Sequence, residues 1–329
     1  MNIRLLTIVP AILGLSAAVP PAVPAAPARP RVAILVFDGV EIIDYSGPYE
    51  VFGAAGYDVY TVAAKKSPVT TAMGLQVVPK YDFSDAPSPD ILVVPGGRIV
   101  GPRADQVTLQ WIRDETAAAK HTLSVCNGAV IMADTGLLDG LSATATDGWI
   151  PRMRKAYPKI HIVSDQRYVD NGKIITTAGL SAGIDGALHV LEVMDGTAAA
   201  QQVALGIEYD WRPAQPFVRA ALADKQIPDI EMKPVGQWKI TDTRGDRTHW
   251  AMALEGTSDR AAASVMEYLA AHLASASWTR VQDPGDGQSA SAWSFKGADG
   301  HLWSGTIAIS PVARQEKTYR LDVAIKQLD

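Results

Sequence analysis

The side chains best placed for chemistry sit in one short stretch, Leu123-Ser124-Val125-Cys126-Asn127-Gly128-Ala129-Val130-Ile131-Met132. An apolar run stops at the only cysteine of the chain, a small polar residue and a glycine follow, and a run of helical character takes over. The pattern predicts a strand, a sharp turn and a helix, with Cys126 at the turn. A thiol there lies at the carboxyl end of a strand, where open α/β sheets bind ligands. It also faces the first N–H groups of the next helix, whose partial positive charge favours the thiolate. Gly128 leaves room for backbone and substrate to approach closely. A lone cysteine can equally be a small buried hydrophobe; the turn, the glycine and the strand end weigh for a nucleophile.

Two other features belong with it. Asp44 follows the first apolar run and precedes Ser46-Gly47-Pro48, where Pro48 suits the first turn of a helix with Ser46 or Gly47 as its cap. Gly96-Gly97 closes the run Ile91-Leu92-Val93-Val94-Pro95, and paired glycines after a strand can present backbone N–H groups to an anion or a developing oxyanion. Either feature alone would be an ordinary loop. At strand ends of one sheet whose central strand carries Cys126, they can meet the thiol in one crevice.

The elements that must hold these residues are legible. Arg31 to Phe37 and Ile91 to Val94 are continuous apolar runs, as buried parallel strands require. Tyr57 to Ala63 is a second strand, and Gly74 to Val78 an edge piece or hairpin. Helices are expected over Val107 to Lys120, from the cysteine turn to about Thr135, near Pro151 to Ala156, through Val193, and from Thr197 to about Ile207. Ile160 to Val163 reads as a strand, and Asn171-Gly172 as a hairpin turn. Strands alternating with helices give the fold class: α/β, a doubly wound (flavodoxin-like) parallel sheet, with a second, smaller α+β domain behind it.

Length and composition set the bounds. The chain has 329 residues, which suits two domains. A net charge of −5 without a basic block makes nucleic acid an unexpected partner. One cysteine excludes an internal disulfide and a cysteine-rich zinc site, and the six histidines lack metal-binding spacing, so no metal or cofactor is expected. Residues 1–30 read as a secretory signal peptide and Pro/Ala linker: a positive start, an apolar run from Leu5 to Val19, and small residues from Ala18 to Ala28 that offer cleavage points. A run of about fifteen residues broken by Pro10 is short for a retained span. The expectation is a protein with no stable membrane insertion after cleavage, periplasmic if the source is Gram-negative.

Several motifs in order, Asp44-Tyr45-Ser46-Gly47-Pro48-Tyr49-Glu50-Val51-Phe52, Val94-Pro95-Gly96-Gly97, Ser124-Val125-Cys126-Asn127-Gly128-Ala129, Gly136-Leu137-Leu138-Asp139-Gly140, Ala178-Gly179-Leu180-Ser181-Ala182-Gly183-Ile184-Asp185 and Glu208-Tyr209-Asp210, carry a resemblance. Residues 31–213 resemble the ThiJ/PfpI family of the class I glutamine amidotransferase-like superfamily, most of all its isonitrile hydratase-like branch and the sensor-like domains of some AraC-type regulators. The resemblance implies that Cys126 is the nucleophile and Asp44 its acidic, proton-handling partner. It implies that Gly97 and the N–H of Asn127 bind an oxyanion, with Gly96, Tyr45 and Gly128 contacting substrate. Family habit also implies a homodimer. The chain departs from the pattern at Asn127, often Thr in that branch and His in the protease-like one. No histidine stands in Thr144-Ala145-Thr146-Asp147, where many relatives carry one, so a Cys-His dyad is in doubt. His189, inside an apolar helix, reads as structural, and Asp185 as a cap of the same helix.

These residues suit thiol attack on a small electrophile with Asp44 as proton carrier, its pKa raised by burial. The best reading is an exported hydratase or hydrolase converting an isonitrile to an N-substituted formamide. The alternative is a non-catalytic ligand or redox sensor that keeps the fold. Beyond residue 213, residues 214–234 read as a helix and a linker. Residues 235–329 read as a β-β-α-β-β-β-β unit with a hairpin around Arg244-Gly245-Asp246. A DNA-binding helix-turn-helix does not suit this part. Trp238, Trp250, Trp278, Trp293 and Trp303 are expected to fill its core, an aromatic ligand platform being the sharper and weaker reading.

Overall fold

The computed structural model describes residues 29–214, 217–282 and 290–329. The leader expected over residues 1–30 therefore lies outside the described residues, except for Arg29 and Pro30. The chain runs through β1 (Arg31–Leu35), α1 (Ile42–Ala54), β2 (Asp58–Ala63), the hairpin β3 (Val69–Thr70) and β4 (Gln76–Val77), β5 (Tyr81–Asp82) and β6 (Ile91–Val94). It continues through α2 (Val100–Ala104), α3 (Gln106–Ala118), β7 (His121–Ser124), α4 (Gly128–Asp134), β8 (Ser142–Ala143), α5 (Ile150–Ala156), β9 (His161–Ile162), β10 (Tyr168–Asp170), β11 (Ile174–Thr177), α6 (Ala182–Asp195) and α7 (Thr197–Gly206).

The main sheet has the order β10-β11-β7-β6-β1-β2-β5. Every neighbouring pair is parallel except the β10–β11 hairpin at Asn171-Gly172. The apolar residues of β1 and β6 are buried on both faces, as their unbroken runs require. Helices α1, α6 and α7 cover one face with Phe52, Leu188 and Val203. Helices α3, α4 and α5 cover the other with Ile112, Ile131 and Met153. The expected doubly wound sheet is thus present. Because β7, β6 and β1 are adjacent and parallel, the segments after them, which carry Cys126, Gly96-Gly97 and the first turn of α1 with Asp44, lie at the carboxyl ends of the strands.

The second unit comprises β12 (Gln237–Gly245), β13 (His249–Thr257), α8 (Ala262–Ser275), β14 (Thr279–Gln282), β15 (Ala290–Lys296), β16 (Leu302–Pro311) and β17 (Thr318–Gln327). Its antiparallel sheet has the order β12-β13-β17-β16-β15-β14. The turn at Arg244-Gly245-Asp246 is a plain polar hairpin, in which Asp246 Oδ1 accepts from the N–H groups of Thr248 and His249. Trp278, Trp293 and Trp303 are buried in the core with Phe295 and Leu321, and Trp278 stacks on Phe295 with ring centroids 3.8 Å apart. Gly305 makes that packing possible, since a Cβ there would sit 2.6 Å from the Trp278 ring. The tryptophans are core, with Trp238 and Trp250 packed at its margin.

The stretch between the units departs from expectation. Among its described residues there is no α-helix, only 3-10 turns at Arg219–Ala221, Ala223–Gln226 and Lys233–Val235. Val218, Leu222 and Ala223 are buried. Val218 and Leu222 have the i, i+4 spacing of a helix, but burial against neighbours on both sides holds the backbone in short turns, and tertiary packing overrides propensity. Among the described residues no helix is long and apolar enough to cross a membrane.

Candidate active site

Cys126 is placed by the ends of three strands. Val125 N–H donates to Val94 O at 3.0 Å and Cys126 N–H to Ala178 O at 3.3 Å, so the chain leaving β7 is held between β6 and β11. It then reverses through a left-handed Cys126, with φ of 60°, before α4 begins at Gly128. A non-glycine residue in that region is strained, and such strain persists where the surroundings over-determine it. Gly128 is obligatory at the bend: a Cβ there would lie 2.1 Å from Val94 O. The expected strand, sharp turn and helix are observed, with the thiol 8 % exposed.

Asp44 arrives by a route the sequence did not disclose. Helix α1 begins at Ile42, not at Pro48, so Asp44 lies in its first turn and Pro48 inside it. The cause is a splice between the loops after β1 and β6. Val40 bridges Gly97, Glu41 N–H donates to Gly96 O at 2.9 Å, and Arg98 N–H donates to Gly39 O at 2.8 Å. This sets the start of α1 at Ile42, ahead of both Asp44 and Pro48. Pro48 then has no N–H to give to the Asp44 carbonyl four residues back. The Asp44 carboxyl is fully buried. Its Oδ2 accepts from Gly96 N–H at 3.1 Å, Oδ1 is buried without a hydrogen-bond partner, and the Cys126 thiol and the Leu180 N–H act on the carboxyl group.

The electrostatics follow from burial. Desolvation pushes the Asp44 carboxyl up to about 7, opposed in part by the Gly96 N–H. Desolvation also pushes the Cys126 thiol up, and the negative charge of Asp44 pushes it further; the N–H of Asn127 and the hydroxyl of Thr146 act the other way. The thiol, not the thiolate expected from a helix N-terminus, is therefore the resting form of Cys126, and Asp44 exchanges its proton near neutral pH. The helix after Cys126 is a short one, and its dipole is outweighed by the loss of water.

Asn127 has a function that its type alone did not reveal. Its Oδ1 accepts from Gly97 N–H at 2.7 Å and its Nδ2 donates to Gly97 O at 2.9 Å. Gly97 offers one donor and one acceptor, so the amide orientation is fixed by its partners. Of the two N–H groups that resemblance assigns to an oxyanion, that of Gly97 is bonded to Asn127 Oδ1 here, as that of Gly96 is to Asp44, while that of Asn127 acts on the Cys126 thiol. Gly96 has to be glycine, because a Cβ would sit 2.2 Å from Asn127 Oδ1 and 2.9 Å from Asp44 Oδ2. Gly96→Ala is expected to displace both side chains and lower kcat/KM by about 10²-fold, with an unchanged far-UV circular dichroism spectrum as the check on folding.

The remaining candidates divide. Tyr45 is a core side chain in the same hydrophobic cluster as Cys126. Asp185 is not a cap: it is buried, paired with Arg167 at 2.5 Å and bonded by Tyr209 Oη at 3.1 Å. His189 is structural as expected, held between Asp170 and Glu192 and stacked on Tyr168. Two residues near the thiol escaped the sequence reading. Leu180 has a φ of 57° and is 48 % exposed beside Gly179, and nothing in its type signalled this. Thr146 lies in the segment noted for its missing histidine. Among the described residues no group of three His, Cys, Asp or Glu side chains is disposed to hold a metal ion.

Comparison with known proteins gives a consistent picture. Residues 30–193 match the model of the DJ-1/PfpI family. Isonitrile hydratase of Pseudomonas putida is 36 % identical over 192 residues, covering 57 % of this chain and 81 % of that enzyme. The crystal structure of a ThiJ/PfpI family protein from Pseudomonas syringae superposes with a TM-score of 0.52 at 31 % identity, over 60 % of this chain and 85 % of that one. A DJ-1 superfamily protein of Salmonella typhimurium gives 0.51 at 25 % identity, over 55 % of this chain and 100 % of that one.

Proposed function

Because the chain belongs to the DJ-1/PfpI family, with an isonitrile hydratase among its relatives, we propose that it is a cysteine-dependent hydratase that converts a small isonitrile to an N-substituted formamide. The observation that carries the reading is the burial of Asp44 beside Cys126 at the elbow after β7, with the carboxyl pushed up to about 7 and so able to take and give a proton near neutrality. An isonitrile carbon accepts both a nucleophile and a proton. The Asp44 carboxylate takes the thiol proton as the Cys126 sulfur forms the C–S bond and passes it to the isonitrile carbon, and a thioimidate results with Asp44 a carboxylate again. Asp44 then takes a proton from water as the water oxygen bonds the same carbon. Asp44 returns that proton to nitrogen, the C–S bond breaks as the hydroxyl oxygen becomes the formamide carbonyl, and the hydroxyl proton passes to the departing sulfur. One water is consumed and nothing is oxidised or reduced.

The engaged glycines favour this chemistry over acyl transfer. Attack on a carbonyl makes an oxyanion in the first step and needs free donors to meet it. Attack on an isonitrile does not, and here the N–H groups of Gly96 and Gly97 are already bonded to Asp44 and Asn127, which leaves that of Asn127 alone of the pair named for an oxyanion. The covalent step is tested by acid-quenching the protein during turnover of cyclohexyl isonitrile. The expected result is a mass increase equal to the whole isonitrile on the Cys126 peptide. An unmodified peptide at every quench time, with formamide still accumulating, would rule the covalent route out. We extend the proposal to an exported homodimer acting on a small molecule, from the leader-like composition of residues 1–30 and family habit. N-terminal sequencing of the exported protein and light scattering test those two parts; an unprocessed Met1 or a monomer would remove them.

A further inference from the structure

The segment between the two units does more than connect them. On one side it is tied to the second unit. Ala223 N–H donates to Asp246 O at 2.8 Å, Gln226 Oε1 accepts from Ala298 N–H at 2.9 Å, and Ala223 and Val235 are part of the second unit's core. On the other side it is tied to the α/β unit. Arg167 Nη1 donates to Phe217 O at 3.0 Å, Ala220 packs on the cluster containing Ile150 and Met153, and Lys225 forms an ion pair with Asp147. Asp147 opens the 3-10 turn Asp147–Trp149. The residue before it is Thr146, whose carbonyl accepts from Trp149 N–H at 2.9 Å.

Thr146 reaches the nucleophile. Its hydroxyl acts on the Cys126 thiol in the direction that favours the thiolate, and both side chains crowd the same backbone. A Cβ on Gly179 would lie 2.6 Å from Thr146 Oγ1 and 3.6 Å from Cys126 Sγ. The hydroxyl thus stands in the segment 144–147, which carries no histidine. Asp44, from α1, is the ionisable group that faces the sulfur, and it repels the thiolate. The Thr146 hydroxyl offsets that repulsion without carrying a charge of its own.

We propose that Thr146 is a positioning residue that orients and stabilises the Cys126 sulfur, and that Lys225 holds it there through Asp147, so that the second unit sets the reactivity of the active site. The inference deepens the function proposed above and rests on it for its biological meaning, but its test reads the thiol alone. Cys126 is the only cysteine, so alkylation of the full-length protein by iodoacetamide reports on it without ambiguity. The rate is measured against pH for wild type, Thr146→Val, Thr146→Ser, Lys225→Met, Lys225→Arg and Thr146→Val/Lys225→Met.

Loss of a hydrogen bond to a charged acceptor predicts a Thr146→Val rate roughly tenfold or more below wild type at pH 8, with the pH profile displaced upward. Thr146→Ser should stay within about twofold of wild type, since it keeps the hydroxyl. Lys225→Met should slow alkylation roughly two- to fivefold, the size of a partly exposed ion pair, and Lys225→Arg should restore it. In the Thr146→Val background Lys225→Met should add nothing. An unshifted profile for Thr146→Val overturns the positioning role. An equal Lys225→Met effect in both backgrounds overturns the route through Thr146. Inertness toward isonitriles with these alkylation results intact would sink the hydratase reading and leave the coupling standing.

Discussion

Cys126→Ala is expected to abolish formamide production, lowering kcat by at least about 10⁴-fold, while the protein folds as before. The magnitude follows from removing the group that forms the covalent bond; when one member of a unit that acts together is lost, little of the unit's contribution survives. The fold should tolerate the change because the strands around the thiol are held by backbone bonds, from Val125 to Val94 and from Cys126 to Ala178. A companion variant separates chemistry from strain. Alanine keeps the penalty of a left-handed residue at φ 60°, whereas glycine does not, so Cys126→Gly should be more stable than Cys126→Ala by roughly 1 kcal/mol in urea unfolding. Both should be inactive. A Cys126→Ala protein retaining a tenth of the wild-type rate would remove the nucleophile from the mechanism.

The second large effect is at Asp44, where activity and stability should move in opposite directions. Asp44→Asn keeps the size and the acceptor for Gly96 but cannot carry a proton, and kcat is expected to fall by about 10²- to 10⁴-fold. The stability effect has a defined sign. Burial raises the folded-state pKa from 3.8 to about 7. Between those values the folded state holds a proton that the unfolded chain has released, so stability falls as pH rises. The stabilising contribution of the protonated carboxyl is fully present below 3.8 and is lost as pH rises through about 7. Asparagine stays neutral throughout. Asp44→Asn should therefore gain on wild type by roughly 2–3 kcal/mol between pH 5 and pH 8, measured by urea unfolding at both. A stability difference that does not change with pH would show that Asp44 is not the proton-holding group. The native residue is, on this account, a carboxyl kept at a cost to stability for the sake of the reaction.

Much of this was legible in the chain. The unbroken apolar runs of β1 and β6 required strands buried on both faces, and the apolar run ending at Cys126-Asn127-Gly128 required an elbow. Those readings depend on local composition, and local composition decides them. What escaped depends on contacts between distant segments. The start of α1 is set by Gly96 and Gly97 splicing onto Gly39 and Glu41, so Pro48, a good marker of a helix start in isolation, fell inside the helix. The fate of the Gly97 N–H depends on which way the Asn127 amide points, which residue type does not encode. The resting protonation of Cys126 turned on burial, which outweighed the short helix whose terminus had suggested a thiolate. The 217–226 segment has helical spacing, yet two packed surfaces hold it in turns. Thr146 could have been noticed as the hydroxyl in the segment that lacked a histidine; its contact with the sulfur could not.

The central claim, that Cys126 and Asp44 together hydrate an isonitrile, is tested most directly by supplying the protein with a simple alkyl isonitrile and following N-alkylformamide by proton NMR. The account predicts catalytic turnover over many equivalents of enzyme by wild type and none above background by Cys126→Ala. Wild-type protein that leaves the isonitrile untouched, while its Cys126 still reacts fully with iodoacetamide, would contradict it.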